Sequence, residues 1–212
     1  NLWVLTNKGV AIYQKKTDRF IRISDEQNQP LVATALCKMP GRVLLIDRKN
    51  IYQFDYLSQQ VKTLQSIQTH HPTVTRKMIP WNSHMLLCLA QWGGTSLLNL
   101  HTGELQPTPL QNDEQITRIF IDHKERVWSS TYNNGLTCWD KQGNILSTYT
   151  TANSRLSHNV ILSISEYRGE IWVGTDGGGI NIIDPEKKEV TVLQHFSGDK
   201  NSLPINSIQC LY

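Results

Sequence analysis

The sequence lacks the patterns that would place it in a membrane, among disordered chains or on nucleic acid. No apolar run approaches the roughly 20 residues that a membrane helix needs, so we expect no membrane contact from this segment. No signal-peptide pattern is present in its first residues. Lysines and arginines are scattered and the formal net charge is only +3, so nucleic-acid binding is not expected. With 39% hydrophobic and 18% charged residues, the chain of 212 residues predicts a globular fold with a true core.

Cysteine is scarce, and its spacing excludes the common metal and redox motifs. The four cysteines form no Cys-x-x-Cys pair, and each lies in an apolar or strand-like stretch: Cys37, Cys88, Cys138 and Cys210. An even number permits disulfides, but a domain of this length does not need them. The interpretation that we favour is buried free thiols. The cellular compartment does not follow from them.

The sequence also lacks the motifs that assemble catalytic and phosphate-binding sites. No Gly-x-Ser-x-Gly motif positions a nucleophile. Gly177–Gly179 is not followed by the Lys-Ser/Thr pair or the helix start of a phosphate-binding loop. His70 and His71 are adjacent, and neighbouring side chains on an extended chain point in opposite directions, so no metal site is predicted there. We therefore predict no catalytic residue, no metal site and no cofactor.

What the sequence does contain is a repeat. Each copy has a Trp or Leu anchor within an apolar strand, and the anchors are Trp3, Leu44, Leu87, Trp128 and Trp172. Successive anchors are 41, 43, 41 and 44 residues apart. A turn rich in Gly or Asn, which accept positive φ, and a second alternating strand follow the anchors. A nearly constant period of this length indicates a repeat fold.

Each repeat predicts four short strands. The first strands are predicted at Leu31–Cys37, Met78–Ile79, Ile116–Ile121 and Val160–Ile164, and two of the last strands at Ile145–Tyr149 and Glu189–Leu193. No stretch has a convincing 3.6-residue apolar period, so helices should be nearly absent. Four strands per repeat are the signature of a β-propeller blade. We predict an all-β fold, a β-propeller of about five four-stranded antiparallel blades over residues 1–212.

The two ends of the chain fall within blades. The chain begins with a second strand at Leu2–Trp3, and Ile208–Tyr212 is predicted to be a first strand. The blades could therefore form a closed five-blade ring or an arc of a larger propeller, and we favour the arc. Trp3, Trp128 and Trp172 occupy equivalent strand positions, so we expect them to pack in the core between blades.

The segment from Asn159 to Tyr212 resembles the regulator-propeller repeat. Residues 171–175, Ile-Trp-Val-Gly-Thr, match that family's apolar-Trp-apolar-Gly-Thr run, and Gly177–Gly179 match its Gly-rich turn. Residues 196–203 are similar to the family's linker into the next blade. The blades anchored at Leu44 and Leu87 lack both the Trp and the Gly-Thr, so they rest on spacing alone.

Such repeats are typical of the extracytoplasmic sensor regions of hybrid two-component histidine kinases, notably in gut Bacteroides. The resemblance implies a periplasmic sensor segment that signals to a histidine kinase absent from this chain. Many members of that family respond to glycan breakdown products. The implied partners are an oligosaccharide, neighbouring propeller blades and a homodimer partner of the full-length sensor.

Propeller geometry predicts where a ligand would bind. Turns between second and third strands share a face with the linkers that enter the next blade, and such loop faces commonly bind ligands. The candidate ligand-binding residues on the turns are Trp92, Tyr132 and Asp176. Those on the linkers are Arg76, Arg155 and His158, and the same linkers also carry His70 and His71. An aromatic platform near hydrogen-bonding groups suits a sugar ring. The alternative is that Trp92 and Tyr132 pack against neighbouring blades.

Three functions remain open at this point. The first is an oligosaccharide sensor. The second is a scaffold or protein-interaction propeller, in which Trp92 and Tyr132 anchor a protein interface. The third is a propeller lyase or hydrolase with its active site over the channel, although no motif in the sequence positions catalytic residues.

Overall fold

The computed structural model describes residues 2–68, 74–111 and 115–211, and these contain 19 β-strands and no α-helix. The predicted all-β class is confirmed. The chain divides into two compact units. Unit 1 comprises Asn1–Gln91 and Thr95–Thr108, and unit 2 comprises Trp92–Gly94 and Pro109–Tyr212.

Unit 1 holds three antiparallel sheets whose strands lie side by side in chain order. Blade 1 consists of β1 (Leu2–Thr6), β2 (Gly9–Gln14) and β3 (Arg19–Ile23). Blade 2 consists of β4 (Ala35–Met39), β5 (Arg42–Ile46), β6 (Asn50–Asp55) and β7 (Gln60–Ser66). Blade 3 consists of β8 (Thr75–Pro80), β9 (Met85–Ala90), β10 (Thr95–Asn99) and β11 (Leu105–Gln106).

Unit 2 holds two four-stranded antiparallel sheets with the same order. Blade 4 consists of β12 (Arg118–Ile121), β13 (Val127–Ser130), β14 (Leu136–Trp139) and β15 (Ile145–Tyr149). Blade 5 consists of β16 (Ile161–Tyr167), β17 (Glu170–Thr175), β18 (Ile180–Asp184) and β19 (Glu189–Leu193). The five anchors predicted from the repeat lie in the equivalent strands β1, β5, β9, β13 and β17.

The last strand of each unit 2 blade has the predicted bounds because a carboxylate closes the turn before it. Asp140 Oδ1 accepts the N–H groups of Gln142 and Asn144, at 2.9 and 2.8 Å. Asp184 Oδ1 accepts those of Glu186 and Lys187, at 2.9 and 3.1 Å. Such side-chain bonds fix a turn locally, so sequence alone is enough to place it.

First strands are placed less accurately. β4 begins at Ala35 rather than Leu31, because the Leu31 N–H donates to Ile23 O at the end of β3 instead of pairing with β5. The prediction of a first strand at Ile208–Tyr212 is wrong for its described residues, 208–211. The Ile208 N–H donates to Thr175 O, but no further ladder bond follows. Ile208 instead packs against Gly174, where an added Cβ would lie 2.7 Å from Ile208 O. Its apolar character therefore serves packing onto blade 5.

Strand alternation lets one strand contribute to two cores in unit 1. In β5, Val43 and Leu45 belong to the apolar cluster between blades 1 and 2. Leu44 and Ile46 belong to the cluster between blades 2 and 3. Successive side chains of a strand point to opposite faces of the sheet, so an unbroken apolar run serves both sides.

The recurring tryptophans differ in burial. Trp128 is fully buried in the cluster between blades 4 and 5, as predicted. Trp3 and Trp172 are only half-buried. Trp3 lies edge-on to Phe54 with ring centroids 4.9 Å apart, and Trp172 lies edge-on to Tyr167 at 6.1 Å. The core prediction is thus confirmed for Trp128 and only partly for the other two.

A carboxylate stands six residues before the anchor in both unit 2 blades, but its bonds differ. In blade 4, Asp122 Oδ2 accepts from Trp128 Nε1 at 2.9 Å and from Arg126 Nε at 2.6 Å. In blade 5, Glu166 instead accepts the His123 N–H at 2.9 Å and contacts His123 Nδ1. The Trp172 Nε1 then has no partner among the described residues. The longer Glu166 side chain therefore bonds to a residue of blade 4, whereas Asp122 bonds to the tryptophan of its own blade.

The cysteines are all free, and three are buried as expected, namely Cys37, Cys88 and Cys138. The expectation is wrong for Cys210, which is exposed because it follows Ile208 in a segment that forms no strand. Burial raises the pKa of Cys37 to about 11 and those of Cys88 and Cys138 to about 12.

We predict that one thiol of the folded chain reacts rapidly with a thiol reagent. The reactive species is the thiolate, and burial both shields the three other thiols and disfavours their ionised form. A chromogenic disulfide should titrate Cys210 in native buffer and all four cysteines in denaturant. Cys210→Ser should abolish the fast phase. A fast phase that survives this substitution would contradict the described burial.

Candidate functional site

The turn face of unit 2 is built by one hydrogen bond repeated three times. In each copy, the N–H of a glycine in a turn between second and third strands donates to a carbonyl of the following linker. The pairs are Gly94 to Ile116 (3.0 Å), Gly135 to Asn159 (3.0 Å) and Gly179 to Asn206 (2.7 Å). Turns and linkers therefore share a face in unit 2, as propeller geometry predicted.

Two large aromatic side chains project from this face. Trp92 is 91% exposed and Tyr132 is 79% exposed. Neither side chain therefore packs against a blade within the described residues. Trp92 precedes Gly93 and Gly94, which both have positive φ, so its turn holds the indole clear of the sheet. Exposed aromatic rings on bonded turns are suited to stacking on a ligand.

Asp176 adds an acceptor to the same face. Its N–H donates to Val160 O at 3.0 Å, which ties its turn to the linker. Its Oδ1 accepts the Ser207 hydroxyl at 2.9 Å, and the residue is exposed. A carboxylate has about four acceptor positions, so Asp176 can accept further hydrogen bonds from a ligand.

The linker carrying Arg155 and His158 is held rigidly. Ser157 N–H donates to Asn181 Oδ1 at 2.9 Å, and its hydroxyl donates to Gly178 O at 2.6 Å. His158 Nδ1 accepts the Val160 N–H at 3.1 Å. Because that nitrogen is an acceptor, Nε2 carries the proton of the neutral ring. Arg155 is exposed and His158 is half-buried, so the linker offers a guanidinium and an imidazole donor.

The other candidates lie elsewhere. Arg76 was predicted in a linker, but it lies in β8 of unit 1, where the pairing with β9 shifts register between Thr75 and Lys77. Arg76 occupies a bulge, and a bulge interrupts the side-chain alternation by which a strand is recognised in a sequence. His70 and His71 lie outside the described residues.

Sequence reasoning missed an open pocket in unit 1. Its cavity of about 620 Å³ is lined by residues 5–7, 32–34 and 47–49, three segments far apart in the chain. The one sequence signal was the pair Arg48-Lys49 in a turn between second and third strands. Among the described residues, no group of three His, Cys, Asp or Glu side chains is arranged to hold a metal ion. Within the same residues, no helix has the length and apolarity to span a bilayer.

These sheets define a β-propeller blade-repeat protein, and solved structures share the fold. The chain is similar to the extracellular domain of the putative hybrid two-component system BT3049 from B. thetaiotaomicron, with TM-score 0.70 and 18% identity. It is also similar to that of the putative hybrid two-component system BT4673 from the same organism, with TM-score 0.66 and 19% identity. These alignments cover 99% and 90% of this chain.

The chain spans less than a third of those domains, 29% and 28% of their lengths. It is also similar to YCF48, solved bound to the D1 peptide, with TM-score 0.66 and 11% identity over 90% of this chain and 62% of that one. No protein-family model and no curated protein matches the sequence. The fold predicted from the repeat, a β-propeller of antiparallel blades, is thus the fold observed.

Proposed function

We propose that this chain is part of a periplasmic sensor of a hybrid two-component system and recognises an oligosaccharide on its turn face. The observation that carries this proposal is the exposure of Trp92 and Tyr132 on turns bonded to rigid linkers. Aromatic rings held on a fixed backbone can stack on the apolar face of a sugar at little cost in conformational entropy. The fold shared with extracellular domains of two-component systems supports the sensor role.

The polar groups on the same face of unit 2 match the hydroxyls of a sugar. Asp176 offers acceptors, while Arg155 and the Nε2 of His158 offer donors. A few placed polar groups around an apolar platform give orientation and specificity in small-molecule sites. Recognition on this proposal needs no cofactor, metal or catalytic residue, and the segment acts as a binding module.

Signalling requires a ligand whose affinity differs between two arrangements of the sensor. The repeated bonds between turns and linkers stiffen unit 2, so the proposed change lies between propellers or between protomers of a homodimer. The signal then passes to a histidine kinase outside this chain. This chain itself contacts neighbouring blades and the ligand, and not the membrane.

Trp92→Ala should weaken oligosaccharide binding at least about tenfold, since loss of an anchor residue costs about 2 kcal/mol or more and about 1.4 kcal/mol is already tenfold. The melting temperature should stay within experimental error because the side chain is 91% exposed. The measurement is isothermal titration calorimetry of the chain, and of the full sensor region, against purified neutral oligosaccharides.

Leu57→Ala is the matched control. Leu57 is 97% exposed in the turn between β6 and β7. Its substitution therefore also removes an exposed apolar side chain, but from a turn between third and fourth strands. Binding should survive this change. Equal loss in both variants, or no binding of any neutral oligosaccharide by the full sensor region, would contradict glycan recognition at Trp92.

A protein-binding propeller is the second candidate. Trp92 and Tyr132 have the exposure and chemistry of interface anchors, and the structurally similar YCF48 was solved with a bound peptide. On this alternative, Trp92→Ala would abolish capture of a protein partner while oligosaccharides would show no heat of binding to either form.

A further inference from the structure

The pocket of unit 1 lies on a face that joins three elements of blades 1 and 2. It is lined by the end of β1 and its following turn (residues 5–7), by the linker residues 32–34 and by the turn between β5 and β6 (residues 47–49). Its volume of about 620 Å³ falls in the range of roughly 300–1,000 Å³ typical of small-molecule sites. It is thus large enough for a saccharide unit.

Asp47 has a structural role in this pocket. Its Oδ1 accepts the N–H groups of Lys49 and Asn50 at 2.6 and 2.7 Å, and its Oδ2 accepts the Tyr52 hydroxyl at 2.8 Å. Burial, together with the Asp47 carboxylate, raises the pKa of Tyr52 to about 12, so the phenol remains a donor. Three of the acceptor positions of Asp47 are thus occupied by its own turn.

The turn that Asp47 closes presents two cations. Arg48 and Lys49 are exposed, and neither side chain takes part in an ion pair within residues 2–68, 74–111 and 115–211. Asp47 is the one acidic residue among the described residues that line the pocket, so these residues carry a net positive charge. By contrast, the cations Lys124 and Arg126 of blade 4 both donate to the Glu186 carboxylate.

The rest of the lining is apolar or neutral. Leu5, Val32 and Ala33 provide apolar surface, and Thr6, Asn7 and Thr34 provide hydroxyl and amide groups. The Thr6 and Thr34 hydroxyls donate to Gly9 O and Ile46 O, and the Thr6 oxygen also accepts the Lys8 N–H at 3.1 Å. Each hydroxyl oxygen keeps at least one further acceptor position. An apolar surface, neutral polar groups and two unpaired cations together match a ring with hydroxyls and a negative charge.

We propose that this pocket is a second binding site, which takes an anionic saccharide bearing a carboxylate or a sulfate group. Arg48 binds the anionic group through its planar fork of N–H donors, and Lys49 adds a second positive charge. The site is lined by residues of unit 1 and includes neither Trp92 nor Tyr132. The inference extends the proposed function by a second ligand class.

The test is calorimetry of the chain with oligogalacturonate, with its neutral methyl ester and with sulfated chondroitin oligosaccharides. Arg48→Gln/Lys49→Gln should weaken binding of an acidic probe at least about tenfold. Lys15→Gln/Lys16→Gln removes the same charge from the turn between β2 and β3 and should leave binding unchanged. The methyl ester should bind at least about tenfold more weakly than the acid, and added salt should weaken binding of the acid.

The probes separate the two anionic groups and the two sites. Preference for oligogalacturonate or for the sulfated probe identifies carboxylate or sulfate as the group bound. Failure of every acidic probe to bind overturns the proposal, as does equal loss in the two double variants. If Trp92→Ala removes binding of the acidic probe while the Arg48/Lys49 variant retains it, the acidic ligand belongs to the turn face instead. Binding of neutral oligosaccharides lost in Trp92→Ala tests the turn face independently.

Discussion

Asp122→Ala should lower the free energy of unfolding by about 3–5 kcal/mol, the cost typical of removing one partner of a buried ion pair. The Asp122 side chain is fully buried, and its Oδ2 accepts from Arg126 Nε and Trp128 Nε1. Its Oδ1 accepts the N–H groups of Lys124 and Arg126, both at 2.9 Å. Alanine would leave the fully buried indole N–H and the Arg126 Nε–H without their acceptor, and the largely buried guanidinium would keep only Glu186, which is exposed, as an ion-pair partner among the described residues.

Asp140→Ala is the matched control. Asp140 Oδ1 accepts N–H groups two and four residues later, as Asp122 Oδ1 does, but no indole or guanidinium bonds to Asp140. Its loss should cost clearly less than that of Asp122, because its bonds lie in an exposed turn where water can replace them. Urea unfolding followed by tryptophan fluorescence measures both. Equal costs would show that Asp122 acts only as a turn residue.

The same pair predicts a pH dependence. Burial alone would raise the pKa of Asp122, but the hydrogen bonds from Trp128 and Arg126 and the charge of Arg126 together lower it. A carboxyl whose folded pKa is lowered stabilises the fold above its unfolded value of about 3.9 and loses that contribution as pH falls through the folded pKa. The difference in stability between wild type and Asp122→Ala should be constant above about pH 5 and shrink below about pH 4.

Local patterns carried the fold prediction, and tertiary contacts limited the rest. Ile145–Tyr149 and Glu189–Leu193 were placed correctly because each follows a turn closed by its own Asp within a few residues. Ile208 has the same apolar character as a strand residue, yet it packs on Gly174, a contact that no local pattern encodes. The sequence therefore predicts the strands of the blades more accurately than the segments that pack on them.

The candidate site shows the same division. Turn positions of Trp92, Tyr132 and Asp176 followed from the repeat, and their exposure agrees with those positions. Arg76 was misplaced because a bulge breaks the alternation of β8. The pocket beside Arg48 was missed because its three lining segments meet only in the folded unit. Residue spacing within one repeat is enough to predict which residues lie on the turn face. The pocket depends on packing between repeats, which the spacing does not describe.

Gly179→Ala should destabilise unit 2 by more than positive φ alone explains. Gly179 has φ of 79°, and a Cβ there would lie 2.1 Å from Leu193 O, a backbone atom at the end of β19. Ile180 pairs with Leu193, so relief of this clash must separate β18 from β19. The movement would also strain the bond from Gly179 N–H to Asn206 O and the bonds from Thr175 to Gly179 O, which hold the turn of Asp176.

Gly177→Ala separates the two contributions because it lies in the same turn. Its φ is 93°, but an added Cβ would meet nothing within 4 Å. Alanine there should cost only the roughly 1–2 kcal/mol of left-handed backbone. Gly179→Ala should cost roughly 1–3 kcal/mol more, as overpacking does. If urea unfolding gives equal costs for the two variants, Leu193 O does not constrain Gly179. If Gly179→Ala alone is strongly destabilised, the requirement for glycine arises from the strand beneath the turn, as it does at Gly135, where a Cβ would lie 2.1 Å from Tyr149 O.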